Sequence, residues 1–266
     1  MDGALVLVDS TVTWTSDGPG SALMLVRAAE AGDQRVEDES VTVAGAEVEY
    51  GPTSPHGARP VRIHAPGGPV SVAYSARLWV DGAERACPAD DAALGDPARL
   101  PFDLLEWTLP SRYCPSDALA PTAEAWFGDL PRTRSLIPYV AGWVTENIVY
   151  TPGASDGLTA AGETLLARAG VCRDMAHLAA SFLRAREVPA RVVAAYAPLL
   201  DPPDFHALLE AHDGTAWRLV DVTGLAPVET VVRVATGRDA ADVAWATSTG
   251  GLALGDVIVT ATGPEG

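Results

Sequence analysis

The feature that most constrains the fold is a change of hydrophobic period along the chain. From residue 4 to about residue 82, apolar residues alternate with polar ones or form short β-branched runs between clusters of Gly, Pro, Asp and Ser. This is the pattern of short strands joined by turns. It predicts strands at 4–8, 12–15, 22–26, 41–50, 61–63 and 70–80. Strands at this spacing favour an antiparallel, sandwich-like β domain.

Helical spacing replaces the strand pattern after a linker rich in Ala, Asp and Pro at residues 83–118. A first helix is expected to begin near Pro121-Thr122, and a stripe from Leu136 to Ile148 predicts a second with Pro138 in its first turn. A short helix at 159–169 is expected to end at Gly170 as a left-handed cap.

A further helix is predicted from Cys172 to about residue 185, followed by strands at 192–196, 207–211 and 217–222. A chain of 266 residues is long enough for two domains of ordinary size. We therefore predict an α+β protein with an N-terminal β domain and linker at 1–105 and a catalytic domain at 106–266.

The charge of the chain bears on its partners and location. The formal net charge is −17, so a phosphate or anionic membrane surface would repel the protein, and neither a nucleic acid nor a membrane is an expected partner. The three cysteines are widely spaced and form neither a disulfide framework nor a paired zinc motif. The N-terminus lacks the pattern of a signal peptide, and we expect a cytoplasmic protein.

One cysteine occupies a position suited to nucleophilic catalysis. Cys172 is predicted at the first turn of a buried helix, where free backbone N–H groups and the helix dipole favour a thiolate. The same N–H groups can stabilise an oxyanion. A catalytic thiolate also needs an imidazole, and the imidazole needs an acceptor on its second nitrogen.

Two neighbouring strands can supply these groups. His206 opens one predicted strand and Asp221 closes the next, and an antiparallel hairpin brings the start of one strand beside the end of the other. His177 is five residues beyond Cys172 on the same helix, a rotation of roughly 140° away, so it is expected to be structural. Asp174 is expected to be a helix-start carboxylate.

Three segments around these residues resemble the catalytic boxes of the transglutaminase-like superfamily. They are GVCRDMAHLAASFLRAREVPAR at 170–191, DFHALLEA around His206 and WRLVDVTGLAP at 217–227. LPSRYCPSD at 109–117 and GRDAADVAWAT at 237–247 are similar to accessory segments of the bacterial members. The chain departs from the family pattern at Leu208, where an aromatic residue is common, and at Glu187-Val188, where a glycine is usual.

The resemblance implies a papain-like core of helices packed on an antiparallel sheet, preceded by a β domain. It also implies a catalytic triad of Cys172, His206 and Asp221, with no cofactor and no metal. The expected reaction is acyl transfer or hydrolysis at a peptide or glutaminyl amide through a thioester. A peptide or protein is the expected substrate, with a primary amine as a possible acceptor.

Three other functions remain open from the residues alone. The first is a cysteine peptidase or amidase that uses water as the acceptor. The second is a metal site built from Cys172, His206 and Asp221, with His212 as an optional fourth ligand, because zinc would accept these ligand atoms. The third is a binding protein that keeps the fold without turnover.

Overall fold

The computed structural model describes residues 3–264 and contains an N-terminal β-sandwich packed against a layer of helices and a further four-stranded sheet. The strands are β1 Ala4–Ser16, β2 Gly20–Met24, β3 Gln34–Ala44, β4 Glu47–Tyr50, β5 Val61–Ala65, β6 Gly68–Val80, β7 Val149–Tyr150, β8 Ala169–Gly170, β9 Ala190–Tyr196, β10 Phe205–His212, β11 Trp217–Val220, β12 Val232–Gly237, β13 Ala246–Thr249 and β14 Ala253–Thr262. The helices are α1 Phe102–Leu105, α2 Ser116–Phe127, α3 Leu136–Asn147, α4 Ala161–Ala167, α5 Cys172–Ala185 and α6 Ala240–Val243. The predicted α+β fold class is confirmed.

The sandwich consists of two four-stranded antiparallel sheets, ordered β14-β1-β6-β3 and β13-β2-β5-β4. Alternate residues of their strands face one shared core, which includes Val8 and Trp14 from the first sheet and Met24 and Ile63 from the second. The period-two pattern of the sequence is therefore the signature of a sandwich with a solvated outer face.

Strands β13 and β14 come from the C-terminal end of the described chain, yet they pair with β2 and β1 in the sandwich. The range 106–266 therefore contains two strands that hydrogen-bond to the N-terminal sheets and not to the sheet of the catalytic region. The boundary at residue 105 stays a prediction. Local patterning predicts that a segment is a strand, but it does not reveal a partner more than 200 residues away.

A third four-stranded sheet, outside the sandwich, has the order β11-β10-β9-β12 and carries α5 on one face. Helix α5 and this sheet share a core with α2 and α3 that contains Phe182, Leu183 and Leu209. A continuous apolar cluster also joins the sheet to the sandwich, and Tyr196 of β9 donates its hydroxyl to the carbonyl of Val26 at 2.7 Å. The two layers therefore fix each other's position.

Two local expectations were wrong. Helix α2 begins at Ser116 and contains Pro121, so the predicted start near Pro121 lies five residues too late. The left-handed residue after α4 is Arg168, with φ 56°, and Gly170 lies in β8. The departure from the family pattern at Glu187 has a local consequence, because this residue adopts φ 59°, a left-handed conformation that glycine adopts readily.

Among residues 3–264, the structure has no helix that is both long and apolar enough to cross a membrane.

Candidate active site

At the start of helix α5, the side chain of Asp174 packs closely against the backbone of the residues that precede the helix. Asp174, in the first turn, accepts a hydrogen bond from the N–H of Val171 at 2.9 Å and binds the guanidinium of Arg173. A Cβ on Gly170 would lie 2.8 Å from the Cβ of Asp174, so only glycine fits beside this side chain. Asp174 is therefore a helix-start carboxylate, as the sequence predicts.

Cys172 is the first residue of α5 and is partly exposed. Its N–H belongs to the set of backbone donors that a helix leaves without intrahelical acceptors. Within the described chain no acceptor faces that N–H. Cys172 therefore supplies both the candidate nucleophile, its thiol, and a backbone N–H that is free to donate a hydrogen bond.

The structure brings His206 and Asp221 together beside this thiol. His206 lies near the start of β10, and Asp221 follows β11 directly. The Nε2 atom of His206 is 3.1 Å from Oδ1 of Asp221, and both side chains are buried. Its Nδ1 is left for Cys172, whose thiol is within hydrogen-bonding reach of the ring. Neither ring nitrogen makes an aligned hydrogen bond to its neighbour, and such bonds often align only when substrate is bound.

The neighbours of His206 favour its charged form. Burial opposes the charge, but the neighbouring side chains of Asp221 and Cys172 stabilise the charged ring, outweigh burial and raise the pKa of the imidazole to about 9. The pKa of Asp221 is lowered despite burial, because His206 and the hydroxyl and N–H of Thr223 stabilise the carboxylate. At neutral pH the site therefore holds an imidazolium between the carboxylate of Asp221 and the sulfur of Cys172.

The turn after β11 holds Asp221 in place. Its Oδ1 accepts from the N–H of Thr223 at 2.9 Å and from the hydroxyl at 2.7 Å, while Oδ2 accepts from the N–H of Ala226 at 2.8 Å. These bonds fix the carboxylate while one oxygen still faces His206. Asp221 is both the residue that caps this turn and the partner of the imidazole.

Tyr150 is a site residue that the sequence reasoning missed. The parallel pair of β7 and β8 sets Tyr150 opposite Gly170, and the N–H of Thr151 donates to the carbonyl of Gly170 at 2.8 Å. This ladder places the phenol beside the thiol of Cys172. Burial and the neighbouring Cys172 raise the pKa of Tyr150 to about 12, so its hydroxyl remains a proton donor.

His177 has the structural role that its position on the helix predicts. It is fully buried, its Nε2 accepts from the N–H of Ala240 at 3.0 Å, and its ring stacks on Tyr113. Burial lowers the pKa of His177 to about 4, so the ring is neutral. The two accessory segments, 109–117 and 237–247, meet at this histidine and support α5.

The other two cysteines lie in surroundings that keep them as thiols. Cys114 is fully buried, and Cys87 is half-buried. Burial raises the pKa of each to about 11. Neither has a histidine partner comparable to His206.

His212, the possible fourth ligand of the alternative metal site, does not lie beside Cys172, His206 and Asp221. His212 ends β10, six residues from His206, which is roughly 20 Å along an extended strand. Its Nδ1 accepts from the N–H of Gly214 at 3.2 Å. Between residues 3 and 264, no group of three His, Cys, Asp or Glu side chains is arranged to hold a metal ion.

Comparison with known proteins yields a family and a near structural relative. The family model of the transglutaminase-like superfamily matches residues 128–222, a span that contains Cys172, His206 and Asp221. The crystal structure of a "putative cysteine protease" from Cytophaga hutchinsonii superposes with a TM-score of 0.89 at 32% identity. The match covers 100% of this chain and 92% of that protein.

A more distant likeness is to the periplasmic domain of TgpA from Pseudomonas aeruginosa bound to ethylmercury, with a TM-score of 0.40 and 17% identity. That match covers 86% of this chain and 94% of the other. No curated protein was significantly similar to the chain. The family match and the extent of the likeness to the Cytophaga protein show that this chain belongs to the transglutaminase-like superfamily.

Proposed function

We propose that the protein is a cysteine-dependent enzyme that attacks a peptide or glutaminyl amide and forms a thioester on Cys172. The observation that carries this proposal is the convergence of Cys172, His206 and Asp221, with the pKa of the imidazole raised to about 9. An imidazolium at this position stabilises a thiolate and can give a proton to a leaving group. Family membership supports a cysteine-dependent enzyme in general.

The first half of the reaction transfers an acyl group to sulfur. The thiolate of Cys172 attacks the amide carbonyl, a C–S bond forms, and the carbonyl electrons move onto oxygen. The N–H of Cys172 and the hydroxyl of Tyr150 lie beside the sulfur, where they can donate to that oxyanion. His206 then protonates the nitrogen, the C–N bond breaks, and ammonia or an amine leaves.

The second half returns the enzyme to its starting state. Neutral His206 takes a proton from the acceptor, which attacks the thioester carbon, and the C–S bond breaks to release the thiolate. Asp221 does not exchange a proton in either half, because it holds the imidazole in place and stabilises its charged form. Each step uses only side chains of the protein, the substrate and the acceptor.

The acceptor we favour is a primary amine. Asp204, two residues before His206, lies close enough to Tyr150 to contribute to the raised pKa of the phenol. An exposed carboxylate at that position favours a cationic amine beside the thioester, although salt screens the effect beyond roughly 8–10 Å. The proposed setting is the cytoplasm, with a peptide or protein as acyl donor.

Hydrolysis is the second candidate, and one observation favours it. The Cytophaga relative, 32% identical over the whole chain, is described as a "putative cysteine protease". In a protease the same thioester would form from a backbone amide and be resolved by water. The thiol, the imidazole and the carboxylate would have the same roles.

The test is to incubate the protein with a glutamine-containing peptide and a labelled primary amine and to weigh the products. Incorporation of the amine would support the transferase, whereas deamidation or cleavage of the peptide would support the hydrolase. Intact-mass spectrometry after rapid acid quench would show the acyl group on the enzyme. Absence of acyl-enzyme and of product with a panel of peptides would leave only a binding role, and the Cys172→Ala variant is the matched control.

A further inference from the structure

A cavity of about 230 Å³ opens to solvent where the sandwich meets the β11-β10-β9-β12 sheet. The sandwich contributes the loop at 29–33, between β2 and β3, and His56, and the sheet contributes Arg191, Trp217 and Arg233. One water molecule takes roughly 30 Å³ of liquid volume, so the cavity has room for a small organic molecule or for the last residue of a peptide.

The cavity is separate from the triad. Arg191 pairs with Glu210 across β9 and β10, four residues or roughly 13 Å along β10 from His206. Leu208 lies between these two positions on the same face of the strand and is fully buried. A ligand in the cavity therefore does not reach Cys172 along this face, and binding there does not require turnover.

Arg191 lines the cavity with hydrogen-bond donors that have no acceptor. Its Nε donates to Glu210 at 2.6 Å, whereas Nη1 and Nη2 make no hydrogen bond to any of residues 3–264. The guanidinium lies over the ring of Trp217, with Cζ 3.8 Å from the ring centroid, and the side chain is 16% exposed. The stack and the bond to Glu210 hold the group in one orientation, which leaves the Nη1–Nη2 edge open. That edge matches the two oxygens of a carboxylate.

The charged groups that bind one another around the cavity include one more cation than anion. They are three guanidinium groups and two carboxylates: Arg85, Arg191, Arg233, Asp33 and Glu210. Both oxygens of Glu210 already accept from arginine, Oε1 from Arg233 and Oε2 from Arg191. Exposed Glu106 acts on Arg191 through space but makes no hydrogen bond to it. Burial lowers the pKa of Arg191, so a bound anion would stabilise a charge that burial disfavours.

We propose that this cavity binds a carboxylate group attached to a small apolar body, either a free organic acid or the C-terminal residue of a peptide. The Nη1–Nη2 edge of Arg191 holds the two oxygens, and Trp217 and Ala31, which line the same cavity, contact the apolar part. A carboxylate carries the single negative charge that the cluster lacks. A phosphate dianion brings a second charge beside the two carboxylates of the cluster, which disfavours it.

The test is a titration of benzoate into ¹⁵N-labelled protein, followed by NMR at the indole N–H of Trp217, which the Trp217→Phe variant identifies. We expect a saturable shift with a Kd of about 1–10 mM, the range for a ligand of so few atoms. Benzamide has the same shape without the charge and should bind at least about tenfold more weakly. Inorganic phosphate should also bind more weakly than benzoate. Equal Kd values for benzoate and benzamide, or tighter binding of phosphate, would overturn the assignment.

Two peptides distinguish the sources of the carboxylate. Ala-Ala-Phe and its C-terminal amide differ only in the group that Arg191 binds. A Trp217 shift that is lost in the amide, with a Kd below that of benzoate, identifies a peptide C-terminus as the ligand, whereas weaker binding than that of benzoate identifies a free organic acid. The absence of a saturable Trp217 shift with both benzoate and the peptide acid would contradict the proposal.

Two matched variants locate the site at Arg191. Arg191→Lys removes the planar edge while it keeps a cation beside Glu210, so the protein should fold, and the Kd for benzoate should rise at least about tenfold. The control is Arg77→Lys, the same change at an exposed arginine on β6 that binds Glu37 at 2.8 Å, and its Kd should equal that of the wild type. An unchanged Kd in Arg191→Lys would rule out the assigned anion partner.

A further variant leaves the arginine and its partners in place. His56 is an exposed loop residue on the sandwich wall, so His56→Glu should not disturb the core, and its carboxylate should weaken benzoate binding several-fold by repulsion. Circular dichroism should show that this variant and Arg191→Lys remain folded. Wild-type affinity in His56→Glu would show that benzoate binds outside the cavity.

Discussion

The two ends of strand β10 hold buried charged groups in different arrangements. At one end Glu210 is bound by Arg191 at 2.6 Å and by Arg233 at 2.7 Å, and Arg233 also binds Asp33. At the other end, four residues or roughly 13 Å away, His206 faces one carboxylate and one thiol. Each charged group at the Glu210 end has a fixed partner of opposite charge, whereas the His206 end keeps a nucleophile and a free N–H at the surface.

The comparison shows that buried charged groups can either stabilise the fold or take part in a reaction, depending on their partners. A fully paired cluster such as that of Glu210 stabilises the contact between the sheet and the sandwich, because each charged group has a hydrogen-bonding partner of opposite charge. The pair of His206 and Asp221 also contacts the sulfur of Cys172, and near neutral pH its imidazolium carries a proton that it can donate to the substrate. Variants at the two ends should therefore have opposite effects on activity and stability.

The largest effect is expected from removal of the nucleophile or its base. Cys172→Ala and His206→Ala should each lower kcat by at least about 10⁴-fold, because the residues of such a triad act as a unit. Steady-state kinetics checks this, and circular dichroism should show that both variants remain folded. A Cys172→Ala variant with more than a few per cent of wild-type turnover would disprove the assigned nucleophile.

Asp221→Asn should lower kcat by about 10³–10⁴-fold and leave measurable activity, because Asp221 orients the base without taking a proton. The variant should also change the pH profile. The raised pKa of His206, about 9, means that the imidazolium and the stability of its ion pair are present below about pH 6.5 and are lost as the pH rises through about 9.

Wild-type kcat/KM should accordingly fall on the alkaline side near pH 9, and in Asp221→Asn this limb should move to lower pH, because the amide carries no charge. The measurement is kcat/KM as a function of pH for the wild type and for Asp221→Asn. An alkaline limb at the same pH in both would show that Asp221 does not determine the charge of His206.

At the Glu210 end of β10, the Glu210→Ala variant should have a free energy of unfolding that is lower by about 3 kcal/mol. The value is at the low end for a broken buried ion pair, because Arg233 keeps Asp33 as a partner. The folded variant should retain most of its kcat. Denaturant unfolding measures the change, and the matched control is Glu49→Ala, which removes an exposed partner of Arg62 and should cost less than about 1 kcal/mol.

The sequence predicts the residues of the triad better than their surroundings. Cys172, His206 and Asp221 follow from local signals: a helix start, the start of one strand, and the end of the next. Tyr150 does not, because β7 is only two residues long and its partner Gly170 is twenty residues away. The pairing of β14 with β1 likewise depends on long-range contacts that a periodicity does not encode.

A smaller effect is expected from Tyr150. Tyr150→Phe keeps the ring and removes one donor to the oxyanion, so kcat should fall about 10- to 100-fold with little change in KM. Single-turnover acylation by an activated ester measures the step directly. An unchanged acylation rate would show that the phenol acts only as a wall of the site.

The most direct test of the central claim is the rate of alkylation of each cysteine by iodoacetamide, followed by peptide mapping at pH 6–8. Cys172 should be modified at least about tenfold faster than Cys87 and Cys114, because the pKa of each of those two thiols is raised to about 11. His206→Ala should slow Cys172 and leave the others unchanged. Equal or faster labelling of Cys114, or a Cys172 rate unaffected by loss of His206, would contradict the claim that these residues form a reactive pair.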